Sequence, residues 1–375
     1  MLDTKLNQLI SQQQKLGLYR KCRFSASGKQ TISFSSNDYL SLRNDARIKA
    51  AYCIGANNLP AGSGGSMLLG GYHPVHRELE QTFAKALKVD ACLLFTSGYA
   101  ANLSVAQLLA SIQAHVLIDK AVHASVYDGL KFANAEYSRY LHNDLDDFCK
   151  KIKQIPEGSV IMTESVFSMS GQKAKLPEIA QIARSRGIKL VIDEAHAFGV
   201  FGEQGLGSVV ESGLSQNEVP LRVIPFGKAM AASGAVVAGQ SLWIEALLQC
   251  ARPYIYSTAL SPAYTYGLLE TLKIVQQADM QRKKLLTLVD YFRHAISQSP
   301  LKWRNSNTPI QQLHLGCPRR AVSYADMLQK QGIMCFPIRQ PTVNKQETGL
   351  RVILNYNHTP DDINLLFSSL HHHER

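Results

Sequence analysis

Between residues 91 and 239, short apolar runs recur: A-C-L-L-F (91–95), A-H-V-L-I (114–118), S-V-I-M-T (159–163), K-L-V-I (189–192), R-V-I-P-F (222–226) and A-V-V-A-G (235–239). Most are separated by stretches whose apolar residues fall at every third or fourth position, such as 98–110 and 177–186. Strand-length runs without polar alternation belong to strands covered on both faces. Their alternation with helical patterns predicts an α/β fold with a mostly parallel central sheet. In such folds ligands bind at the carboxyl ends of the strands. Residues 261–298 read as one long helix, followed by strand-like pieces near 309–314, 333–337 and 350–355 and a helix over about 360–369. Residues 1–50 read as a helical arm with a short strand, T-I-S-F-S (31–35). The pattern therefore predicts an arm (1–50), a large domain (51–260), and a bridging helix with a small α+β domain (261–375).

Composition narrows the class. A chain of 375 residues, 45% hydrophobic and 18% charged, is a globular protein long enough for more than one lobe. Its seven cysteines are scattered without a C-x-x-C pair, which points to a reducing compartment and away from a disulfide frame or zinc ribbon. No apolar run approaches the roughly 20 residues of a membrane span, and the first residues are polar and amphipathic, so the expected location is the cytoplasm. The net charge of +11 is dispersed and comes with no nucleic-acid signature. It suits a small anionic substrate or carrier. The histidines at 371–373 read as a solvated tail, and no metal site is expected.

The candidate chemistry lies where the strands end. The strand K-L-V-I runs into D-E-A-H-A-F-G (193–199), which places Asp193 and His196 at its carboxyl end. Another strand leads to F-G-K-A (226–229), where Lys228 is the one charge in a small-residue, apolar setting. Such a lysine is either a strand-end side chain snorkelling to water or an amine whose charged form is disfavoured. An aspartate and a low-charge lysine at neighbouring strand ends are what pyridoxal phosphate chemistry requires. The acid keeps the pyridine nitrogen protonated, and the amine holds the cofactor's aldehyde. F-T-S-G-Y-A-A-N (95–102) opens a helix after a strand, so the N–H groups of Gly98 and Tyr99 and the Ser97 hydroxyl can face a phosphate. D-K-A-V-H-A-S (119–125) offers the flat ring of His123, and T-E-S-V-F-S-M-S-G (163–171) offers Ser168.

Together these stretches resemble the α-oxoamine synthase group of fold-type I pyridoxal phosphate enzymes over nearly the whole chain. The resemblance is carried further by G-S-G-G-S (62–66), G-G-Y-H-P-V-H-R-E-L-E (70–80), H-N-D (142–144), G-V-F-G-E-Q-G-L-G-S (199–208), I-Y-S-T-A-L-S-P-A (255–263) and I-R-Q-P-T-V (338–343). It implies Lys228 as the cofactor-holding lysine, Asp193 as partner of the pyridine nitrogen, and His123 as the stacking ring. His196 and Ser168 would flank the phenolic oxygen, and Ser97, Gly98 and Tyr99 would face the phosphate. Thr258 would reach that phosphate from a second subunit, which implies a homodimer with shared sites. Arg351 would bind the amino-acid carboxylate, with Arg20 and Asn37 closing over substrate. The implied reaction is condensation of L-alanine with a pimeloyl thioester, on coenzyme A or an acyl carrier protein, with loss of carbon dioxide. G-S-G-G-S and I-R-Q-P-T-V favour it over a glycine-using sister reaction. A non-catalytic ligand sensor on the same fold is the reading of another class, and residues 1–50 leave little room for the DNA-binding domain it would carry.

The chain departs from the group's pattern in three places. Pro225 stands where a threonine usually offers its hydroxyl to the phosphate, Ser170 replaces an aspartate in the S-M-D-G turn, and A-M-A-A-S-G (229–234) replaces a more glycine-rich stretch. The missing hydroxyl implies weaker cofactor binding, compensated in part by Ser97, Thr258 and Ser233. The alternative is that the proline's fixed φ stiffens the approach to Lys228.

Overall fold

The computed structural model describes residues 1–20 and 31–374. Two compact units form: Asn37–Ser168 with Lys173–Lys283, and Met1–Ser36 with Met169–Gln172 and Lys284–Arg375.

The larger unit is built on seven strands: β1 (Ala91–Phe95), β2 (Val116–Asp119), β3 (Tyr137–Tyr140), β4 (Val160–Glu164), β5 (Lys189–Asp193), β6 (Leu221–Pro225) and β7 (Ala235–Gly239), in the order β1-β7-β6-β5-β4-β2-β3. All run parallel except β7, which lies antiparallel between β1 and β6. The carboxyl ends of β1, β2, β4, β5 and β6 therefore share one edge with the start of β7. Every residue of β2, β4 and β7 is buried, as the unbroken apolar runs predicted. The sequence pattern missed β3, Tyr-Ser-Arg-Tyr, an edge strand with three of its four residues partly or fully exposed. Such a strand needs no apolar run.

The helices covering the sheet pack closely where small residues allow it. A Cβ added to Gly55, in the helix Ala46–Asn58, would lie 2.2 Å from the Ala263 carbonyl oxygen of the helix Pro262–Gln276. The long helix expected over 261–298 is two helices, Pro262–Gln276 and Asp279–Ser297, and the first of them belongs to the larger unit. Residues 37–50 also pack there rather than in a separate arm.

A buried ion pair fixes the loop after β5. Glu194, fully buried, accepts the N–H groups of Ser208 and Val209 at 2.8 Å each and pairs with the equally sequestered Arg222 at 3.4 Å. Gly207, at φ 98°, lets the carboxylate approach, since a Cβ there would lie 2.2 Å from Glu194 Oε2.

The smaller unit contains an antiparallel sheet of β8 (Ile310–His314), β9 (Phe336–Ile338) and β10 (Gly349–Ile353), in the order β9-β10-β8. Arg351 lies on β10, in register with Gln312 and Phe336. The helices Pro318–Lys330 and Pro360–Glu374 complete the unit. Its core brings Phe292 within 5.3 Å of Trp303 and 4.9 Å of Phe367, ring centre to ring centre. Gly171, the end of the S-M-S-G turn, gives its carbonyl to the hydroxyls of Ser306 and Thr308 at 2.9 and 2.8 Å. Ser170 accepts the Gln172 N–H within that turn. Among the described residues, no helix is long and apolar enough to cross a membrane.

Candidate active site

At the shared strand edge of the larger unit lies a cavity of about 360 Å³. Ser97, Gly98, Tyr99, His123, Asp193, His196 and Lys228 all line it.

Asp193 ends β5 and is 3% exposed. The Ala195 N–H donates to its Oδ1 (2.8 Å), and the Asn102 amide donates to its Oδ2 (2.7 Å). The same amide nitrogen donates to the Ser125 hydroxyl (2.9 Å), which lies 2.7 Å from His123 Nδ1. With its oxygen accepting from Asn102, Ser125 donates onward to Nδ1, which leaves the proton of the neutral imidazole on Nε2. Loss of solvation pushes the His123 pKa below its ordinary value; the Asp193 charge opposes that shift and Lys228 adds to it. A neutral, oriented ring results. Asn102 and Ser125 are functional residues that the sequence reading quoted within motifs and gave no role.

Two others were missed. Tyr39, fully buried, places its hydroxyl 2.6 Å from His196 Nδ1 and 3.5 Å from Asn37 Oδ1. Asn37 thus connects to His196 through Tyr39. Glu164, at the end of β4, is in register with Asp193 and lines the cavity. Its Oε2 accepts the Ser168 N–H at 3.0 Å, while Oε1 is buried without a hydrogen bond. Burial drives the Glu164 carboxyl well above the usual range, and the charge of Asp193 adds to the shift.

The turn expected to face a phosphate is the start of the helix Gly98–Ser111. Ser97 is its N-cap, with Oγ accepting the Ala100 N–H at 3.1 Å. That oxygen is committed to the cap, so the residue offers an anion only its hydroxyl proton, beside the open N–H groups of the first turn. The Tyr99 ring turns away, its hydroxyl donating to Asp128 at 2.6 Å. Pro225 closes β6 opposite Ala235, and its ring lies against the phosphate turn. A Cβ on Gly98 would sit 2.5 Å from Pro225 Cγ. The proline, expected as a lost hydroxyl, is also the surface on which Gly98 rests.

Lys228, half-buried, stands in the tight turn between β6 and β7, which is closed by Phe226 N–H to Gly234 O (2.9 Å) and Ala232 N–H to Phe226 O (3.1 Å). Ala231 takes φ 49° in this turn, a left-handed conformation that costs a non-glycine residue about 1 kcal/mol. Ala231→Gly is expected to raise stability by about 0.5–1 kcal/mol, read from the urea midpoint at unchanged m-value. A lowered midpoint would contradict strain at this position.

The remaining sequence candidates lie elsewhere. Ser168 adjoins the cavity through Glu164. Thr258 is exposed and bridges to Ser66, with Ala259 donating to Gly65 O at 2.9 Å and accepting from Ser63 Oγ at 3.0 Å. Arg20, which is exposed, and Arg351 belong to the smaller unit.

The residues present fit pyridoxal phosphate. A doubly held carboxylate, a flat neutral ring, an amine and a helix N-terminus line one cavity, and Asn102 Oδ1 and Glu164 Oε1 are buried there without protein partners.

A sequence model of the family Aminotransferase class I and II matches residues 29–370. The chain is 38% identical over 343 residues to the 8-amino-7-oxononanoate synthase of Pseudomonas fluorescens, covering 92% of this chain and 88% of that one. It is 36% identical over 382 residues to the namesake enzyme of Alkalilimnicola ehrlichii, covering 98% and 97%. Among solved structures, the 8-amino-7-oxononanoate synthase of Francisella tularensis superposes with a TM-score of 0.83 at 31% identity, covering 92% of this chain and 98% of that one. Serine palmitoyltransferase of S. paucimobilis, solved with pyridoxal phosphate, superposes with a TM-score of 0.90 at 26% identity, covering 98% and 97%. The chain belongs to the class I and II aminotransferase family, and within it to the family of the 8-amino-7-oxononanoate synthases. It is a pyridoxal-phosphate-dependent enzyme of the acyltransferase type, on the fold-type I α/β architecture.

Proposed function

We propose that this enzyme condenses L-alanine with a pimeloyl thioester, carried by coenzyme A or an acyl carrier protein, to form 8-amino-7-oxononanoate, with release of carbon dioxide and the free thiol. The observation that carries the reading is the hydrogen-bonded chain from the buried Asp193, Asn102 and Ser125 out to the exposed ring of His123, all four lining one cavity with Lys228. When bound, pyridoxal phosphate supplies an electron sink for the charge left on the amino acid's Cα. Asp193 opposes the ring nitrogen, and its two donors hold it in one orientation. His123 would stack on the ring, its orientation set by the Ser125 contact. His196, steadied by Tyr39, and Ser168 flank the phenolic oxygen. Ser97 and the N–H groups of Gly98 and Tyr99 hold the phosphate.

Lys228 holds the cofactor between turnovers, and its freed amine removes the Cα proton. Arg351 binds the alanine carboxylate, and Arg20 and Asn37 close over substrate. A homodimer in which Thr258 reaches the partner's phosphate site completes the reading, and the exposure of Thr258 on its bridge to Ser66 supports it.

The likeness to serine palmitoyltransferase makes the amino acid and acyl chain the points to test. Mass spectrometry of products from alanine, glycine and serine, each offered with a panel of acyl thioesters, is expected to show the C9 aminoketone from alanine and pimeloyl thioester as the preferred product. Preferred turnover of glycine or serine, or of a long-chain acyl group, would overturn the assignment.

A further inference from the structure

The H-N-D motif (142–144) has no part in the chemistry above, yet it joins two of the cofactor loops. Asp119, fully buried at the end of β2, spreads its carboxylate over both sides of that junction. Its Oδ1 accepts the Ala121 N–H (2.7 Å) in the loop leading to His123, and it also accepts His142 Nδ1 (3.0 Å). Its Oδ2 accepts the Asn143 N–H at 2.8 Å. On the far side, the His142 ring meets the buried Phe167 edge to face, with centroids 4.3 Å apart and planes at 86°. Phe167 precedes Ser168. Asn143 holds the other limb of the same loop, donating from Nδ2 to the Lys173 carbonyl at 2.9 Å, where Lys173 bridges to Val166.

We infer that Asp119 and His142 form a positioning pair that sets the His123 loop and the Ser168 loop at a fixed separation, so that ring stacking and the phenolic-oxygen contact are made together. Neither residue lines the cavity, and both act through their neighbours. A β-turn with Asn143 at φ 55° could be held by many side chains. A buried carboxylate shared between two loops, with an imidazole carrying the constraint onward to a third element, does more than hold a turn. Outer partners of this kind fix the orientation of the groups that touch a ligand, and around metal sites, where the same logic has been measured, their loss costs about ten- to a hundredfold.

The inference rests on the reading of His123 and Ser168 as cofactor groups, and the test separates the two. His142→Phe keeps an aromatic ring against Phe167 but removes the bond to Asp119; Asp119→Asn weakens the same bond from the other side. In the holoenzyme each is expected to release pyridoxal phosphate on dialysis about tenfold faster, to alter the cofactor's visible circular dichroism, and to lower kcat with little change in the KM for alanine. The double variant should be no worse than the more damaged single variant. In the apoprotein, amide exchange should speed up over 119–125 and 164–168 in His142→Phe while the sheet strands stay protected. Should Asp119→Asn fail to fold, His142→Phe carries the test alone. Wild-type release rate, dichroism and loop exchange in His142→Phe, with only a lowered melting temperature, would overturn the pair as a positioning device. Failure of the unaltered protein to take up pyridoxal phosphate would overturn the reading of the site, and the pair's role with it.

Discussion

Lys228→Ala is expected to lower kcat by at least about 10³–10⁴-fold, because in the proposed reaction one amine would serve both as the attachment for the cofactor and as the base at Cα. The apoprotein should lose far less. Lys228 is half-buried in a turn closed by backbone hydrogen bonds of Phe226 and Ala232, and none of these uses its side chain. Activity and stability should therefore separate: kinetics collapse while the urea midpoint of the cofactor-free protein stays within about 0.5 kcal/mol of wild type. Borohydride reduction of the loaded wild-type enzyme, followed by peptide mapping, should place the pyridoxyl group on Lys228. An adduct on a different lysine, or a variant with ordinary turnover, would remove Lys228 from the chemistry.

The second large effect runs the other way, sparing the chemistry's own groups and striking the fold. Glu194→Ala is expected to cost about 3–5 kcal/mol, since it strands the buried Arg222 guanidinium and leaves the Ser208 and Val209 N–H groups without their acceptor. Replacing both charged partners together, as Glu194→Leu with Arg222→Met, should cost much less than the single change, because no buried charge is left uncompensated. Equilibrium unfolding of the three apoproteins measures this. A single-variant loss below about 1 kcal/mol would mean that water or another group satisfies Arg222.

Much of the site could be read from the chain because a parallel sheet converts sequence order into spatial convergence. Each unbroken apolar run predicts a strand and the loop after it supplies candidates, which is how Asp193, Lys228, Ser97 and His123 could be named while Glu164, directly after S-V-I-M-T, was passed over. What the pattern could not supply was anything set by pairing between distant strands. Glu164 is an unremarked residue of T-E-S-V-F-S until the β4–β5 register places it beside Asp193. Asn102 and Ser125 become a relay only when the first two turns of separate helices meet Asp193. Tyr39 is an ordinary core tyrosine in sequence, and only its distance to His196 gives it a role. The break between the helices ending at Gln276 and starting at Asp279 carries no glycine or proline, so periodicity ran straight through it.

The single antiparallel strand bears on the order of events at the ribosome. Among the described residues β1 has no hydrogen-bonded neighbour except β7, and Ala91 pairs with Gly239, so the Ser97 turn that follows β1 hangs from a strand made about 140 residues later. Until β7 has left the exit tunnel and slotted between β1 and β6, the turn at Ser97 and the amine of Lys228 have no fixed relation to each other. The nascent larger unit can lay down β2 through β6 as a partial sheet, but it carries half a binding site at each end of an unfilled gap. The cavity that Ser97 and Lys228 both line is thus complete only once β7 has inserted.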